Sequence, residues 1–219
     1  MKVGTDGVLL GAWTPLNNQP NRILDIGAGT GIIALMLAQR SEATTIDALE
    51  IEEGAYEQCV ENFEGSPWGD RLFCYHAGLD ELVEEMEDPY ELIVSNPPFY
   101  AEAIPSGNHS RDIARQRQSL PFDQLLSGAS KLLTTTGVFA AIIPYTEEDS
   151  FIRMAQETGL HVFKITRVKG TPGSDLKRSL LAFSFEKKEL REDELVIETD
   201  RHRYTEAYTA LTRDFYLKM

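Results

Sequence analysis

The sequence predicts a doubly wound α/β domain: a seven-stranded, mostly parallel sheet with helices on both faces and one antiparallel strand. Three observations predict it. Short apolar strand-like runs alternate with helical patterns along most of the 219 residues, an order that gives parallel pairing with crossover helices. A glycine-rich turn, Gly27-Ala28-Gly29-Thr30-Gly31, separates the first such strand from its helix. The apolar run Leu92-Ile93-Val94-Ser95 stops at Asn96-Pro97-Pro98-Phe99-Tyr100, a stiff segment at the strand end where such sheets bind ligands.

Each element follows from local pattern. The opening residues run into a helical pattern, Val8, Leu9, Leu10, Ala12 and Trp13, with Thr5 or Asp6 as the expected N-cap. A polar break from Pro15 to Asn21 precedes the first strand, Arg22 to Asp25, and Ile32 to Ala38 is the helix after the glycines. Thr44 to Leu49 is the second strand, ending at Glu50, and a helix from about Glu53 to Phe63 follows. Leu72 to His76, Leu79 to Met86 and Leu92 to Ser95 continue the strand–helix–strand order. The stretch from Ala101 to Ser119 has no clear period, and irregular segments of that length are usually functional. Phe122 to Leu133 and Glu147 to Thr158 read as helices around a buried strand, Val138 to Ile143, with Gly159 as the second helix's stop. Two late strands, about His161 to Val168 and Ser179 to Phe185, flank Lys169 to Lys177, and this hairpin supplies the antiparallel strand. Glu186 to Glu194 is a charge run expected to be a solvated face, and an amphipathic helix from Tyr204 to Tyr216 closes the chain. On the last helix Tyr204, Tyr208 and Leu211 share a face and are expected in the core. The whole is read as one domain: 1–21 as N-terminal segment and helix, 22–185 as core sheet, 186–219 as C-terminal helix.

Composition limits the function classes. Hydrophobic content of 42% and charged content of 26% fit an ordinary soluble domain with a sizeable core. No apolar run is long enough to span a bilayer, and no signal peptide is evident. Cys59 and Cys74 have no metal or redox spacing, which points to a reducing cytoplasm. A formal net charge of −14 argues against broad affinity for nucleic acid, though a local basic patch is compatible with it. No metal site is expected, and a monomer is the expected state.

The chemistry concentrates at three strand ends. Asp25-Ile26-Gly27-Ala28-Gly29-Thr30-Gly31 follows a strand and opens a helix, the context a nucleotide-binding loop requires. Ile32 stands where a dinucleotide fingerprint has its last glycine, and Asp25 would repel a pyrophosphate while suiting a cationic or amine-bearing ligand. Glu50, ending the next strand, is placed to accept both hydroxyls of a ribose. Asn96 Oδ1 and the Pro97 carbonyl can accept from a planar amine while Phe99 stacks on its ring. Glycine turns and strand-ending acids are individually common; in this order they specify a nucleoside cofactor. His76 and His109 have no carboxylate at a telling spacing and read as structural or surface residues.

Asp25 to Gly31, Glu50 and Asn96-Pro97-Pro98-Phe99 together resemble the S-adenosylmethionine-dependent methyltransferases, in their amino-methylating branch. The opening Lys2-Val3-Gly4-Thr5-Asp6-Gly7 through Trp13, with Phe215-Tyr216-Leu217-Lys218, narrows the resemblance to the bacterial family that N6-methylates adenine 37 of a valine tRNA. It extends over essentially the whole chain. The resemblance implies a Rossmann-like class I methyltransferase fold, S-adenosylmethionine as cofactor and tRNA as substrate. It implies that Asp25, Gly27 and Gly29 border the methionine part of the cofactor, that Glu50 holds the ribose, and that Gly4, Thr5 and Asp6 close over it as a lid. Asn96, Pro97 and Phe99 would be catalytic, Asn96 also meeting the cofactor, with Pro98, Phe99 and Tyr100 around the adenine. Relatives often carry an aspartate just after the third strand for the cofactor's adenine amine. Here the string is His76-Ala77-Gly78-Leu79-Asp80, so Asp80 is displaced by about a residue. The family also implies residues before the Lys2 segment, so the expectation is that part of the substrate-side N-terminus is absent or that the start codon is misassigned.

Three other functions are compatible with parts of the pattern. Methylation of a protein glutamine amide would use the same Asn-Pro-Pro-aromatic loop, but the Lys2 to Trp13 segment and the want of an N-terminal helical domain oppose it. An idle nucleoside-binding scaffold would not need Asn96 and Phe99, and a nicotinamide oxidoreductase is opposed by Ile32. For a tRNA substrate, Arg111, Arg115 and Arg117 follow the Asn96 loop, and Lys164, Arg167, Lys169, Lys177 and Arg178 gather near the late hairpin as a second contact strip. Phosphate contacts make affinity fall with salt, by roughly one unit of log–log slope per contact. Neutralising Arg111, Arg115 and Arg117 is expected to flatten the salt dependence of tRNA binding and leave cofactor affinity unchanged. A triple variant with the wild-type slope would remove the three arginines from the interface.

Overall fold

The computed structural model describes residues 4–85, 88–98 and 120–217. Its sheet grows outward from β1 (Arg22–Ile26), whose last four residues are buried. β1 pairs with β2 (Thr45–Leu49) on one side and with β4 (Tyr90–Ser95) on the other, both in parallel. β3 (Leu72–Tyr75) lies outside β2, and β5 (Leu133–Pro144) beyond β4. β7 (Leu176–Ser184) runs antiparallel to both β5 and β6 (His161–Lys169), so it is the antiparallel strand expected from the hairpin. The order is β3-β2-β1-β4-β5-β7-β6-β8.

β8 (Arg191–Val196) is an eighth strand, parallel to β6, that the sequence pattern does not announce. Arg191, Glu192, Asp193 and Glu194 are exposed along it, so the charge run is solvated as expected yet also hydrogen-bonded. A charged edge discourages pairing with another chain, and it hides the alternation by which strands are recognised. β9 (Glu198–Asp200) and β10 (Arg203–Tyr204) form a separate two-stranded ribbon. The segment after 185 therefore carries strands as well as the closing helix.

Helices cover both faces because consecutive buried residues in each strand point to opposite sides. Leu92 and Val94 pack into one cluster with α1 (Thr5–Trp13), α2 (Ile32–Arg40), α3 (Glu53–Glu64) and α7 (Glu206–Thr212). Tyr90 and Ile93 pack into the other with α4 (Leu79–Glu85), α5 (Phe122–Leu132) and α6 (Glu148–Glu157). Phe139, Phe151 and Phe183 fill the centre of this second layer, with ring centroids 5.9–6.4 Å apart. Guanidinium groups close the orphan carbonyls at helix ends. Arg40 donates to Gly11 and Thr14 at the end of α1, and Arg71 donates to Ala38, Ser41 and Ala43 at the end of α2.

Two local expectations give way. α1 is capped by Gly4, with no side chain accepting from its first turn, because Asp6 is turned towards Arg178 rather than its own backbone. The last helix is shorter than its pattern: Tyr204 belongs to β10 and is 45% exposed, while Tyr208 is buried and Leu211 half-buried. Thr205 caps it by accepting from Tyr208 N. No helix among the described residues is long and apolar enough to cross a membrane.

Candidate active site at the carboxyl ends of β1, β2 and β4

Registry assembles the site. Ile26 is level with Leu49 on one side and Ser95 on the other, so the next residues, Gly27, Glu50 and Asn96, leave the sheet side by side. Neighbouring strands lie about 4.8 Å apart, which separates Glu50 and Asn96 by roughly 10 Å with Gly27 between them. The chain goes from β1 outward to β2 and β3, then returns to β4 and β5 on the other side. The gap between β1 and β4 is thus the topological switch point, where open α/β sheets hold ligands.

The glycine loop is pinned before any ligand arrives. Gly27 N and Ala28 N both donate to the Leu49 carbonyl, at 3.0 and 2.9 Å. Gly27 has φ 73°, and a Cβ there would meet nothing within 4 Å, so its exposed backbone borders open space. Gly31, also left-handed, has a different reason for being glycine. A Cβ would come within 2.5 Å of the Phe63 ring and 2.8 Å of Cys59 Sγ, so α3 packs directly on the loop. Gly29, at φ 57°, donates its N–H to Glu50 Oε2 at 2.8 Å.

Glu50 is held from both ends. Its Oε1 accepts from Glu52 N at 2.8 Å while Oε2 takes Gly29 N, and the residue is only 9% exposed. A carboxylate has about four lone-pair sites. Two remain after these bonds, which suits a pair of neighbouring hydroxyls. Beside it, His76 stacks on Tyr56 with centroids 5.0 Å apart and its Nε2 lies 3.1 Å from the Ile51 carbonyl. His76 is thus an exposed residue stacked beside Glu50. Tyr56 and Ile51 are the residues sequence reading missed here; the signal was their position just past Glu50.

Asp25 lies beneath the loop. It is fully buried, its Oδ2 accepts from Ala34 N in the first turn of α2 at 3.2 Å, and Oδ1 has no partner among the described residues. Burial pushes its carboxyl up to about 7, the Ala34 hydrogen bond opposes the shift, and the negative charge of Glu50 adds to it. On the other flank, Ser95 Oγ donates to the Ile26 carbonyl at 2.9 Å and locks β4 to β1 just before Asn96. Asn96 is half-buried, its amide has no hydrogen-bond partner among the described residues, Pro97 is buried and Pro98 exposed. Phe99, Tyr100, Arg111, Arg115 and Arg117 lie outside the described residues, as does His109.

The remaining expected residues divide. Gly4 and Thr5 are exposed at the start of α1, and Gly7 rests against Ile32, the first residue of α2, so this turn stands next to the glycine loop. Asp80 is exposed in the first turn of α4 and accepts from Gln124 Nε2 of α5. Its carboxylate is shared with another helix rather than held out alone. The late basic strip is largely neutralised within the chain. Arg167 meets Glu148 and Glu192, Lys169 meets Glu194, Arg178 meets Asp6, and Lys164 stands over the Trp13 ring at 4.2 Å. Lys177 alone of the five is exposed. As a phosphate-binding strip it is therefore much weaker than its sequence suggests. Among the described residues no cluster of His, Cys, Asp and Glu could hold a metal ion.

This fold and this site define a class I methyltransferase that uses S-adenosylmethionine. The orphan Asp25 Oδ1, the open cradle at Gly27 and the half-satisfied Glu50 fit that cofactor's amine, backbone and ribose. The family model for the methyltransferase small domain matches residues 8–143. A predicted O-methyltransferase from Agrobacterium tumefaciens has the same fold at TM-score 0.73, with 20% identity, covering 95% of this chain and 96% of that one. A ribosomal protein L11 methylase from Lactobacillus delbrueckii subsp. bulgaricus aligns at TM-score 0.58, with 16% identity, over 81% and 76%. Relatives in sequence are much nearer. The tRNA1(Val) (adenine(37)-N6)-methyltransferase of Flavobacterium psychrophilum is 64% identical over 100% of this chain and 94% of its own length. That of Bacteroides fragilis is 44% identical over 100% and 92%. The chain belongs to the family of tRNA1(Val) (adenine(37)-N6)-methyltransferases.

The buried Asp25 makes a testable demand on stability. Its carboxyl is raised in the fold, so ionising it disfavours the native state. The penalty is absent below the unfolded value, 3.8, grows as pH rises, and is complete above about 7. Asp25→Asn removes the titration, so relative to wild type the ligand-free variant is expected to gain about 2–3 kcal/mol between pH 5 and pH 8. Urea denaturation at the two pH values measures it. A difference independent of pH would show that Asp25 does not titrate there.

Proposed function

We propose that the protein transfers the methyl group of S-adenosylmethionine to the exocyclic N6 amine of adenine 37 in a valine tRNA. The observation that carries this reading is the alignment of Glu50, Gly27 and Asn96 across the switch point. It provides a ribose acceptor, an open backbone cradle and an amide with no partner among the described residues in one row. Relatives 63% and 64% identical to this chain carry that activity in their names, and they align over its full length.

When bound, the cofactor supplies an activated methyl on a sulfonium, so the protein's work is alignment. In our reading Glu50 accepts the ribose hydroxyls with its two free lone-pair sites. Asp25, Gly27 and Gly29 border the methionyl portion, where the orphan Oδ1 offers an acceptor for an amine. Gly4, Thr5 and Asp6 cover the cofactor, and Asp80, fixed by Gln124, stands towards its adenine. Asn96 Oδ1 and the Pro97 carbonyl accept from the target NH2. Those bonds fix the nitrogen in line with the methyl and sulfur and localise its lone pair. They also stabilise the positive charge that develops on nitrogen, after which the proton leaves to water.

A base must leave its stack to enter such a pocket, and an aromatic surface offsets the cost of extruding it. Phe99 and Tyr100, with Pro98, serve that purpose in the proposal, and Arg111, Arg115 and Arg117 meet the phosphates beside it. One cofactor site and one amide loop on a single chain suffice for the reaction, and the working unit is read as a cytoplasmic monomer.

Nucleoside mass spectrometry of tRNA incubated with protein and S-adenosylmethionine is the test: N6-methyladenosine is expected at adenine 37 of the valine tRNA. Methylation of a glutamine-bearing protein with none on tRNA would reject the reading. Asn96→Ala is expected to raise the barrier by about 2–4 kcal/mol while cofactor affinity stays near wild type. Steady-state turnover and calorimetric titration separate the two effects. A variant with wild-type turnover would take Asn96 out of the mechanism.

A further inference from the structure

The strand ends account for Glu50, Gly27 and Asn96, but they do not hold the turn Gly4–Gly7 that would cover the cofactor. α1 begins with Gly4 as its N-cap and no side chain accepts from its first N–H groups. The polar side-chain contact that ties this turn to the rest of the described residues joins positions far apart in sequence. Arg178 Nε donates to Asp6 Oδ2 at 2.8 Å, with the two side chains only 19% and 27% exposed.

The two ends of this pair differ in rigidity. Arg178 lies opposite Pro144 of β5 and Val168 of β6, so β7 is hydrogen-bonded from both sides where it sits. It stands at the same end of the sheet as Glu50 and Asn96, because β7 runs antiparallel and begins there. Asp6 belongs to a helix start that touches its surroundings through Gly7, where a Cβ would lie 3.2 Å from Ile32 Cγ2. Ile32 opens α2 directly after the glycine loop. A fixed arginine on the sheet thus sets where the turn lies relative to the loop.

We propose that Arg178 is a positioning residue: through Asp6 it holds the Gly4–Gly7 turn against the glycine loop and so sets cofactor affinity. This rests on the proposed function, in which that turn covers the cofactor. It also assigns the Asp6 carboxylate to Arg178, making it a strut and not a ligand of the cofactor. The two roles predict different results when Arg178 alone is changed. If Asp6 were a direct ligand, removing Arg178 would leave its carboxylate free to bind.

The experiment compares the full-length wild type with Asp6→Asn, Arg178→Gln, the double variant and Arg178→Lys. Calorimetric titration with S-adenosylhomocysteine and steady-state kinetics on tRNA are the readouts. Each single neutral variant is expected to weaken S-adenosylhomocysteine about tenfold and raise the S-adenosylmethionine KM alike, the size of one coupled half-buried contact. Saturated kcat stays within about twofold, since the turn does not touch the reacting nitrogen. The double variant is no worse than Arg178→Gln alone, and Arg178→Lys, the mildest change, recovers most of the affinity. Losses that multiply in the double variant, or wild-type affinity in Arg178→Gln, would overturn the inference. A wild-type protein that binds no S-adenosylhomocysteine and methylates no tRNA would reject the function itself and this inference with it.

Discussion

The parallel registry of β1 between β2 and β4 is the constraint on which the site depends. Because Ile26 is level with both Leu49 and Ser95, three chain segments leave the sheet at the same height, and their next residues form a row. A slip of one residue in either pairing would turn every side chain on that strand to the opposite face. The pattern resists such a slip because both faces are buried and differently filled. Leu92 and Val94 belong to one helix layer and Ile93 to the other. Ser95 Oγ on the Ile26 carbonyl adds a directional bond at the last position before Asn96. The geometry of the site is therefore a product of core packing, and loop composition decides only what the row presents.

What it presents is preorganised at some cost. Glu50 would cost stability if left unpaired at 9% exposure, and two backbone N–H groups offset this while fixing both oxygens. Asp25 is less well compensated: one hydrogen bond from Ala34 does not cancel full burial, and its other oxygen is orphaned. An acid held in this state resists ionisation, so its proton is linked to the stability of the fold. The left-handed glycines carry their own backbone requirement. Gly27 keeps space open, whereas Gly31 makes room for Phe63 and Cys59. Two glycines four residues apart in one motif thus answer to a ligand surface and to the core respectively.

Much of this was legible in the sequence because it depends on short-range pattern. The strand order, the antiparallel hairpin strand and the placing of Glu50 and Asn96 at strand ends all follow from apolar runs punctuated by glycine, proline and acid. What was not legible depends on partners far away in sequence. Asp6 reads as an N-cap because nothing local reveals Arg178, and nothing local to Asp80 reveals Gln124. β8 escapes because an edge strand paired on one side needs no apolar alternation, and its four charged residues look like a loop. Tyr204 continues the helical spacing of Tyr208 but lies in the ribbon, where β10 pairs with β9. Tyr56 and His76 sit on different elements, and only the fold stacks them together.

The same long-range pairing bears on electrostatics. Taken by composition, the late strands look basic, yet Arg167, Lys169 and Arg178 each face a carboxylate, and Glu148 is itself buried between Arg167 and Ser179. These are structural charges: Glu148 could not be buried without Arg167, and the charged edge of β8 could not sit beside β6 without its lysine and arginine. Exposed cations remain elsewhere, Lys131, Arg153, Lys187 and Arg203 among them, but they lie on separate elements of a chain whose net charge is −14. A molecule with that field repels polyanions at a distance and binds them only where contacts are specific. Recognition of an RNA against that field depends on local complementarity of shape and charge rather than on long-range attraction.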